Sequence, residues 1–239
     1  MSKEFIPRPY QRQILSHVVN HKRTAVWCGM GMGKTVSTLV ALRAMSWYEP
    51  EPVFPALVIA PLRVAVSTWP DEIRKWAILD DLKVVTITGK EPERIRALQT
   101  KADIYTVNYD NLPWLVDACK SLGLGWPFTT VVADEATRLK GLRLKQGTKR
   151  AKALMSVAMR EGTRFIELTG TPAPNGLLDL WGQLYFIDKG ARLGRTFSMF
   201  RERFFRPQQV SDDARAVKWA ICYSRWCFLP AFLPVISVF

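Results

Sequence analysis

Cys28-Gly29-Met30-Gly31-Met32-Gly33-Lys34-Thr35 is the strongest signal in this sequence, and it stands between the apolar run TAVW and the helical pattern TVSTLVALRAM. A strand, a glycine-rich loop and a helix in this order are the context of a P-loop. Glycines let backbone amides converge on phosphates, and the helix amino terminus adds positive potential. The stretch predicts an ATP phosphate site, formed by the residues Gly29, Gly31, Gly33, Lys34 and Thr35.

Two side chains of this loop have separate expected roles. Lys34 supplies a mobile cation to the phosphates, and Thr35 offers its hydroxyl to Mg²⁺. The strict P-loop pattern places glycine where this chain has Cys28. The Gly-Lys-Thr ending and the strand-to-helix context still favour a phosphate loop over a purely structural turn.

Short apolar runs alternate with longer segments of helical period along the chain. Their lack of polar alternation is typical of strands that are buried on both faces, and the spacing suits helical crossovers. We therefore predict an α/β fold, a parallel β-sheet flanked by helices, whose ligands bind at the carboxyl ends of the strands. The runs are TAVWC, ALVIA, KVVTIT, DIYTV, TTVVA and RFIELT.

The apolar run Val131-Val132-Ala133 ends in an adjacent pair of acids, Asp134 and Glu135. Carboxylates at the end of a buried strand are costly unless a cation or a water molecule uses them. With a P-loop in the same chain, we expect Asp134 to hold Mg²⁺ and Glu135 to act as general base toward the attacking water. By itself, such a pair is more often a solvated helix start.

A third motif runs from Leu168 to Asn175 and contains Thr169, Gly170, Thr171 and Pro172. Small hydroxylated residues after a strand can link the acids to a moving surface through hydrogen bonds. A proline-bearing turn into a capped helix would explain the same local sequence. We interpret Thr169, Gly170 and Thr171 as coupling residues because of the other two motifs.

Together these segments resemble, in order, the first RecA-like lobe of superfamily 2 helicases, specifically the Swi/Snf-type DNA translocases. Arg8-Pro9-Tyr10-Gln11 resembles the motif in which a glutamine reads adenine, so the resemblance assigns Gln11 to the nucleotide base. The family has no glycine at the position of Cys28 either. Thr137 departs from the family, which usually has histidine after Asp-Glu-Ala. The resemblance covers roughly residues 5–207, and the joint occurrence of the motifs is more specific than any one of them.

The resemblance also implies contacts with DNA. The segment around Ala60-Pro61-Leu62-Arg63, continuing to Trp69, Glu72, Lys75 and Trp76, resembles the part of the family that touches the DNA backbone. Thr106-Val107-Asn108-Tyr109 resembles the next contact motif. We therefore assign Arg63 and Asn108 to DNA, with double-stranded DNA favoured over single-stranded DNA.

The charge of the chain favours a polyanionic partner, since 34 Lys and Arg against 21 Asp and Glu give a net charge of +13. A basic run without acids follows the predicted catalytic pair, and from it we expect contacts to DNA phosphates by Lys140, Lys145, Lys149 and Arg150. A solvated basic face is the alternative. Between Arg192 and Arg206, arginines alternate with phenylalanines, which we expect to be core residues.

The ends of the chain complete the sequence-based expectations. The first residues show no signal peptide or membrane anchor, which predicts a cytoplasmic protein. Residues 1–207 are expected to form the ATP-binding lobe. Residues 208–239 are expected to be an aberrant or truncated hydrophobic tail, with no helical or strand continuation of the earlier pattern after about Trp219. We also expect the second RecA-like lobe of the family to be missing or supplied separately.

The predicted function is therefore the ATP-binding lobe of a DNA-dependent ATPase or translocase that uses ATP and Mg²⁺, with doubtful turnover by this chain alone. One alternative is a nucleotide- or DNA-binding module without efficient turnover. Another is a small-molecule P-loop kinase, which would need lid arginines and an acceptor site in place of the third motif.

Overall fold

The computed structural model describes residues 2–142, 148–209, 217–222 and 235–238. Within these ranges, the strands are β1 Arg23–Cys28, β2 Ala56–Ala60, β3 Val84–Ile87, β4 Ile104–Asn108, β5 Thr130–Asp134, β6 Arg164–Thr169, β7 Phe205–Gln209, β8 Val217–Ile221 and β9 Val235–Val238. The helices are α1 Pro9–Asn20, α2 Lys34–Tyr48, α3 Trp69–Lys75, α4 Glu91–Gln99, α5 Leu112–Ser121, α6 Lys149–Ala158, α7 Leu180–Asp188 and α8 Phe197–Phe204. Short π- and 3₁₀-helical turns join several of them, including a π-helix at Val64–Thr68 before α3.

A parallel sheet forms the centre of the molecule, and its described strands run in the order β3-β4-β2-β5-β6-β1-β9. Every pairing in this sheet is parallel. All six apolar runs identified in the sequence are strands of this sheet, which confirms the predicted α/β class. Strands β2, β5 and β6 are buried at every residue, as expected for strands that are covered on both faces.

Helices cover both faces of the sheet and divide the apolar core into two layers. One layer packs side chains of α1, α2 and α3 against alternate sheet residues such as Val26 and Ile166. The other packs α5, α6, α7 and α8 against residues such as Phe165 and Val131. The strand alternation decides which layer each side chain enters, so neighbouring residues of one strand face opposite layers.

The phenylalanines between Arg192 and Arg206 belong to the second layer, as predicted. Phe200, Phe204 and Phe205 are buried there, and Phe197 packs against the cluster. Phe200 and Phe204 extend this layer with ring centroids 5.6 Å apart. These aromatics are therefore packing residues.

The expectation that no strand continues the fold near the carboxyl end is wrong at two places. Strand β8 pairs antiparallel with β7 in a two-stranded ribbon. Strand β9 pairs parallel with β1, in the register Ala25↔Val235 to Cys28↔Val238. A β-branched run such as Val-Ile-Ser-Val suits a sheet edge, where it completes the backbone hydrogen bonds of β1. Within the described residues, no helix is long and apolar enough to span a membrane.

Candidate nucleotide-binding site

The three sequence motifs come together at one edge of the sheet. Strands β5, β6 and β1 are adjacent, and the P-loop, the acids and the third motif follow their carboxyl ends. The pairings Trp27↔Thr169 and Asp134↔Leu168 set these strand ends side by side. Carboxyl ends of parallel strands are the usual ligand edge of such folds. The motifs therefore converge through the strand register.

Gln11 lies directly against the P-loop. Gly33 has a positive φ of 72°, and a Cβ atom at Gly33 would lie 2.4 Å from Gln11 Nε2. The side chain of Gln11 is 8% exposed, and its Oε1 accepts from the backbone amide of Arg8 at 2.9 Å. Glycine at position 33 thus provides both the left-handed backbone and the space for Gln11.

Lys34 is folded onto its own loop. Its Nζ donates to the carbonyl oxygens of Cys28 at 2.7 Å and Gly29 at 2.9 Å. The ammonium therefore lies within the loop, where its charge is available to an incoming anion once these bonds are exchanged. Burial raises the pKa of the Cys28 thiol, and the nearby charge of Lys34 opposes that shift.

A cavity of about 670 Å³ opens in front of this loop. Its walls include Gln11, Gly31, Gly33, Lys34 and Thr35, together with the aromatic and charged side chains Tyr10, Arg8, Glu72, Lys75 and Trp76. A volume of several hundred cubic ångströms is the size of a small-molecule site. Glu72, Lys75 and Trp76, which belong to the DNA-contact segment of the resemblance, are thus walls of this cavity. The residues before α1 bring them there, since Lys3 pairs with Trp76 and the Phe5 ring lies 5.3 Å from the Trp76 ring.

Asp134 is a buried acid held by several hydrogen bonds. Its Oδ2 accepts from Trp69 Nε1 at 2.9 Å, and its Oδ1 accepts from the Glu135 amide at 3.0 Å. Its backbone oxygen accepts from the Tyr109 hydroxyl at 2.7 Å. Burial raises the pKa of Asp134, with a further raising contribution from Glu135, while the Trp69 hydrogen bond and the charge of Lys34 act in the opposite direction.

These groups fit the divalent cation that the fold implies. A buried carboxylate that is destabilised by desolvation gains from a nearby cation. The Asp134 carboxylate and the Thr35 hydroxyl are oxygen donors, the kind that Mg²⁺ prefers. In the described residues, no cluster of three or more His, Cys, Asp or Glu side chains forms a metal cage. A magnesium ion bound here would therefore depend on the nucleotide phosphates as well.

Glu135 has a left-handed backbone, with φ of 55° and ψ of 52°. This conformation is uncommon for a residue other than glycine and costs free energy. Glu135 lines a second cavity of about 520 Å³ with Thr137, Arg138, Lys140 and Thr171. In addition to burial, its charge raises the pKa of the neighbouring Asp134.

The third motif touches both the P-loop and the acid strand. A Cβ atom at Gly170 would lie 3.5 Å from the Cys28 carbonyl oxygen, so Gly170 lies close to the phosphate loop. The amide of Thr171 donates to Thr169 Oγ1 at 3.1 Å, which fixes the turn. Thr171 also lines the second cavity beside Thr137, the residue that departs from the family pattern.

The side chains assigned to DNA lie in several environments. Arg63 and Lys149 are exposed, and Asn108 is half-buried with its Oδ1 unpartnered among the described residues. Lys140 lies 3.5 Å from Asp179, and Arg150 is paired with Asp110. Lys145 lies outside the described residues. Of this set, Arg63 and Lys149 are thus the cations most accessible to a phosphate.

Two residues that hold Asp134 were not singled out as site residues from the sequence. Trp69 and Tyr109 lie in the DNA-contact segments of the resemblance, yet both are buried and bonded to Asp134. A sequence signal existed, since each aromatic residue follows a predicted strand of the same parallel sheet. The motifs do not predict the order of the strands in the sheet, and this order determines that both aromatic residues reach Asp134.

Comparisons with known proteins place this geometry in a family. The model of the SNF2-related domain matches residues 10–226. The protein p41 of Acyrthosiphon pisum secondary endosymbiont phage 1 is 53% identical over 209 residues, which cover 87% of this chain and 45% of p41. The mouse DNA repair and recombination protein RAD54B is 26% identical over 223 residues, or 88% of this chain and 24% of RAD54B.

Solved structures agree with the same fold. The Sulfolobus solfataricus SWI2/SNF2 ATPase core in complex with dsDNA superposes with a TM-score of 0.64 and 28% identity, over 84% of this chain and 39% of that chain. The UvsW helicase of bacteriophage T4 shares the fold at a TM-score of 0.56 and 13% identity, over 77% of this chain and 60% of that chain. This chain spans less than half the length of p41 and of the Sulfolobus core. The domain match covers most of the chain, which belongs to the SNF2-related domain family.

Proposed function

We propose that this chain is the ATP-binding lobe of a DNA-dependent ATPase of the translocase type. The observation that carries the proposal is the cavity in which Gln11, the P-loop and Thr35 share one wall. The family membership supports ATP as the nucleotide. It also argues against the small-molecule kinase, which the sequence had left as an alternative.

Within the cavity, we propose that Gln11 reads the adenine edge and that the loop amides with Lys34 hold the phosphates. Lys34 would exchange its bonds to Cys28 and Gly29 for bonds to phosphate oxygens. Thr35 and Asp134 would hold Mg²⁺, which when bound neutralises phosphate charge during transfer.

Glu135 is the proposed general base toward the attacking water. Its place directly after Asp134, at the end of a strand two positions from the P-loop strand, supports this role. It also lines a cavity together with Thr171 of the third motif. Thr169, Gly170 and Thr171 are the proposed coupling residues, since Gly170 lies close to the P-loop.

The proposed partner is double-stranded DNA. The Sulfolobus structure contains dsDNA, which supports this choice for the present chain. Arg63, Asn108, Lys140, Lys149 and Arg150 are the proposed contacts, together with Lys145. These residues include both exposed and ion-paired cations, so DNA binding would have to compete with the pairs at Asp179 and Asp110.

The domain assignment is also part of this proposal. Residues 1–207 would form the ATP-binding lobe, and a second RecA-like lobe, carrying the arginine that meets the γ-phosphate, would complete the site. Such an arginine is worth about 10³–10⁵ in rate in this class of enzymes, so the lobe alone should turn over slowly. An intracellular location, on which DNA access depends, belongs to the proposal as well.

The test compares two glutamines of α1. Gln11→Ala should weaken ATP binding and reduce the preference for ATP over GTP, as measured by titration with each nucleotide in Mg²⁺. Gln13→Ala is the matched control because Gln13 is exposed on the same helix and does not line this cavity. An unchanged ATP-to-GTP ratio in Gln11→Ala would contradict the adenine assignment. Binding without any DNA-stimulated turnover, even with a second lobe added, would leave the binding-module alternative.

A further inference from the structure

Two buried aromatic side chains reach the same acid from two different loops. Trp69 donates its indole N–H to the Asp134 carboxylate at 2.9 Å, and Tyr109 donates its hydroxyl to the Asp134 backbone oxygen at 2.7 Å. Trp69 is 0% exposed and Tyr109 is 2% exposed. Hydrogen bonds between such buried groups are costly to break, because the separated donor and acceptor cannot form replacement hydrogen bonds with water. Asp134 is thus held from both its side chain and its backbone.

Each aromatic residue closely follows a proposed DNA contact. Arg63 is exposed and immediately precedes the π-helix Val64–Thr68, after which Trp69 begins α3. Asn108 ends β4, and Tyr109 is the next residue. A displacement of the exposed Arg63 or the half-buried Asn108 by a phosphate would therefore be transmitted over one short helical turn or a few covalent bonds to the hydrogen bond at Asp134.

The two loops are also joined to each other. Thr106 Oγ1, on β4, donates to the backbone oxygen of Ala65 in the π-helix at 2.7 Å, and this bond is buried. Strand β2 lies between β4 and β5, so the loops after β2 and β4 both border the strand that carries Asp134. The bond therefore ties the π-helix that precedes Trp69 to the strand that leads into Tyr109.

We propose that Trp69 and Tyr109 are positioning residues that transmit DNA contact at Arg63 and Asn108 to the acid that holds the nucleotide's cation. The inference rests on the proposed function, and it adds a route from DNA to Asp134 that is separate from the third motif.

The proposal predicts a loss of linkage between two ligands. The affinity of the chain for a fluorescent, non-hydrolysable ATP analogue with Mg²⁺ is measured with and without a short DNA duplex. Coupling between two sites typically changes affinity by about 5–150-fold, and the effect is reciprocal. Tyr109→Phe and Trp69→Phe should each reduce the coupling factor by about five-fold, the equivalent of one hydrogen bond. The affinity for DNA alone should change much less, because neither side chain is itself a proposed DNA contact.

The controls remove the same chemical groups elsewhere in the core. Tyr105→Phe, on the same strand as Asn108, deletes a hydroxyl that donates to the Thr100 carbonyl at 2.6 Å. Trp181→Phe deletes an indole N–H that donates to Gly194 at 2.9 Å. Both controls should keep the full coupling factor while losing similar stability. This separates a positioning role from a general loosening of the core.

The possible outcomes distinguish a failure of the proposed nucleotide binding from a failure of the proposed coupling. Failure of the parent chain to bind the analogue in Mg²⁺ would overturn both the proposed function and this inference. A parent that binds the analogue without any response to DNA overturns the inference and leaves nucleotide binding in place. Coupling that survives in Tyr109→Phe as fully as in Tyr105→Phe also overturns it, whether or not Trp69→Phe folds.

Discussion

Glu167 should make the stability of this protein fall as pH rises. It lies in the middle of β6 between Ala25 of β1 and Ala133 of β5, and it is 0% exposed. Neither of its carboxylate oxygens has a hydrogen-bond partner among the described residues. Burial raises the pKa of Glu167 well above its usual value, and the charge of Arg23 only partly opposes this shift.

The direction of this pH dependence follows from the number of protons bound by the native and unfolded states. The native state keeps the Glu167 proton at pH values where the unfolded chain, with a pKa near 4.5, has released it. The native state therefore binds more protons, and the free energy of unfolding falls with pH by about 1.4 kcal/mol per unit. The fall begins near the unfolded pKa and ends near the native pKa.

Glu167→Gln should remove this slope because the amide does not titrate. Urea unfolding of parent and variant at a series of pH values above about 4.5 measures it, and the difference between the two proteins should grow in favour of the variant as pH rises toward the native pKa, by at most about 1.4 kcal/mol per unit. Glu202→Gln, on an exposed position of α8, is the control and should parallel the parent. Parallel curves for Glu167→Gln and the parent would refute the reasoning.

Three further predictions concern the proposed site. Lys34→Ala should abolish binding of ATP with Mg²⁺ because the phosphates lose their mobile cation, and calorimetry showing equal affinity would contradict this assignment. Glu135→Gln should keep ATP bound while lowering turnover by about 10²–10⁴-fold, so a variant that hydrolyses at the parental rate would move the base elsewhere. Lys149→Glu should flatten the plot of log DNA affinity against log salt by about 0.9 or more, since at least one phosphate contact is lost. Lys101→Glu, exposed before β4 at the opposite sheet edge, should leave that slope unchanged.

The parts of the site that could be predicted from sequence are local ones. The P-loop and the acid pair are short contiguous motifs, and their chemistry depends on residues that stay adjacent in the fold. The strands were predictable because apolar runs without polar alternation require burial on both faces. The strand at Val235–Val238 could not be predicted, because a run of this length is not distinguishable as a strand before its pairing with β1 is known.

The contacts at Asp134 could not be predicted in this way. Trp69 is 65 residues and Tyr109 is 25 residues from Asp134 along the chain. Their meeting depends on β2 lying between β4 and β5, a pairing order that periodicity does not encode. For the same reason, the resemblance assigns Glu72 and Trp76 only to the DNA-contact segment and does not indicate that they also line the cavity in front of the P-loop.

The left-handed backbone at Glu135 sets stability and chemistry in opposition at a single residue. With φ of 55°, the position suits glycine, and a glycine there would avoid a strain of roughly 1 kcal/mol or more. Selection for stability alone should therefore replace Glu135, although ATP hydrolysis would need its carboxylate. A library of variants selected only for thermal tolerance should accumulate glycine or asparagine at position 135, whereas one selected for ATP turnover should retain glutamate. The residue found at position 135 under each selection therefore indicates whether ATP turnover depends on the Glu135 carboxylate.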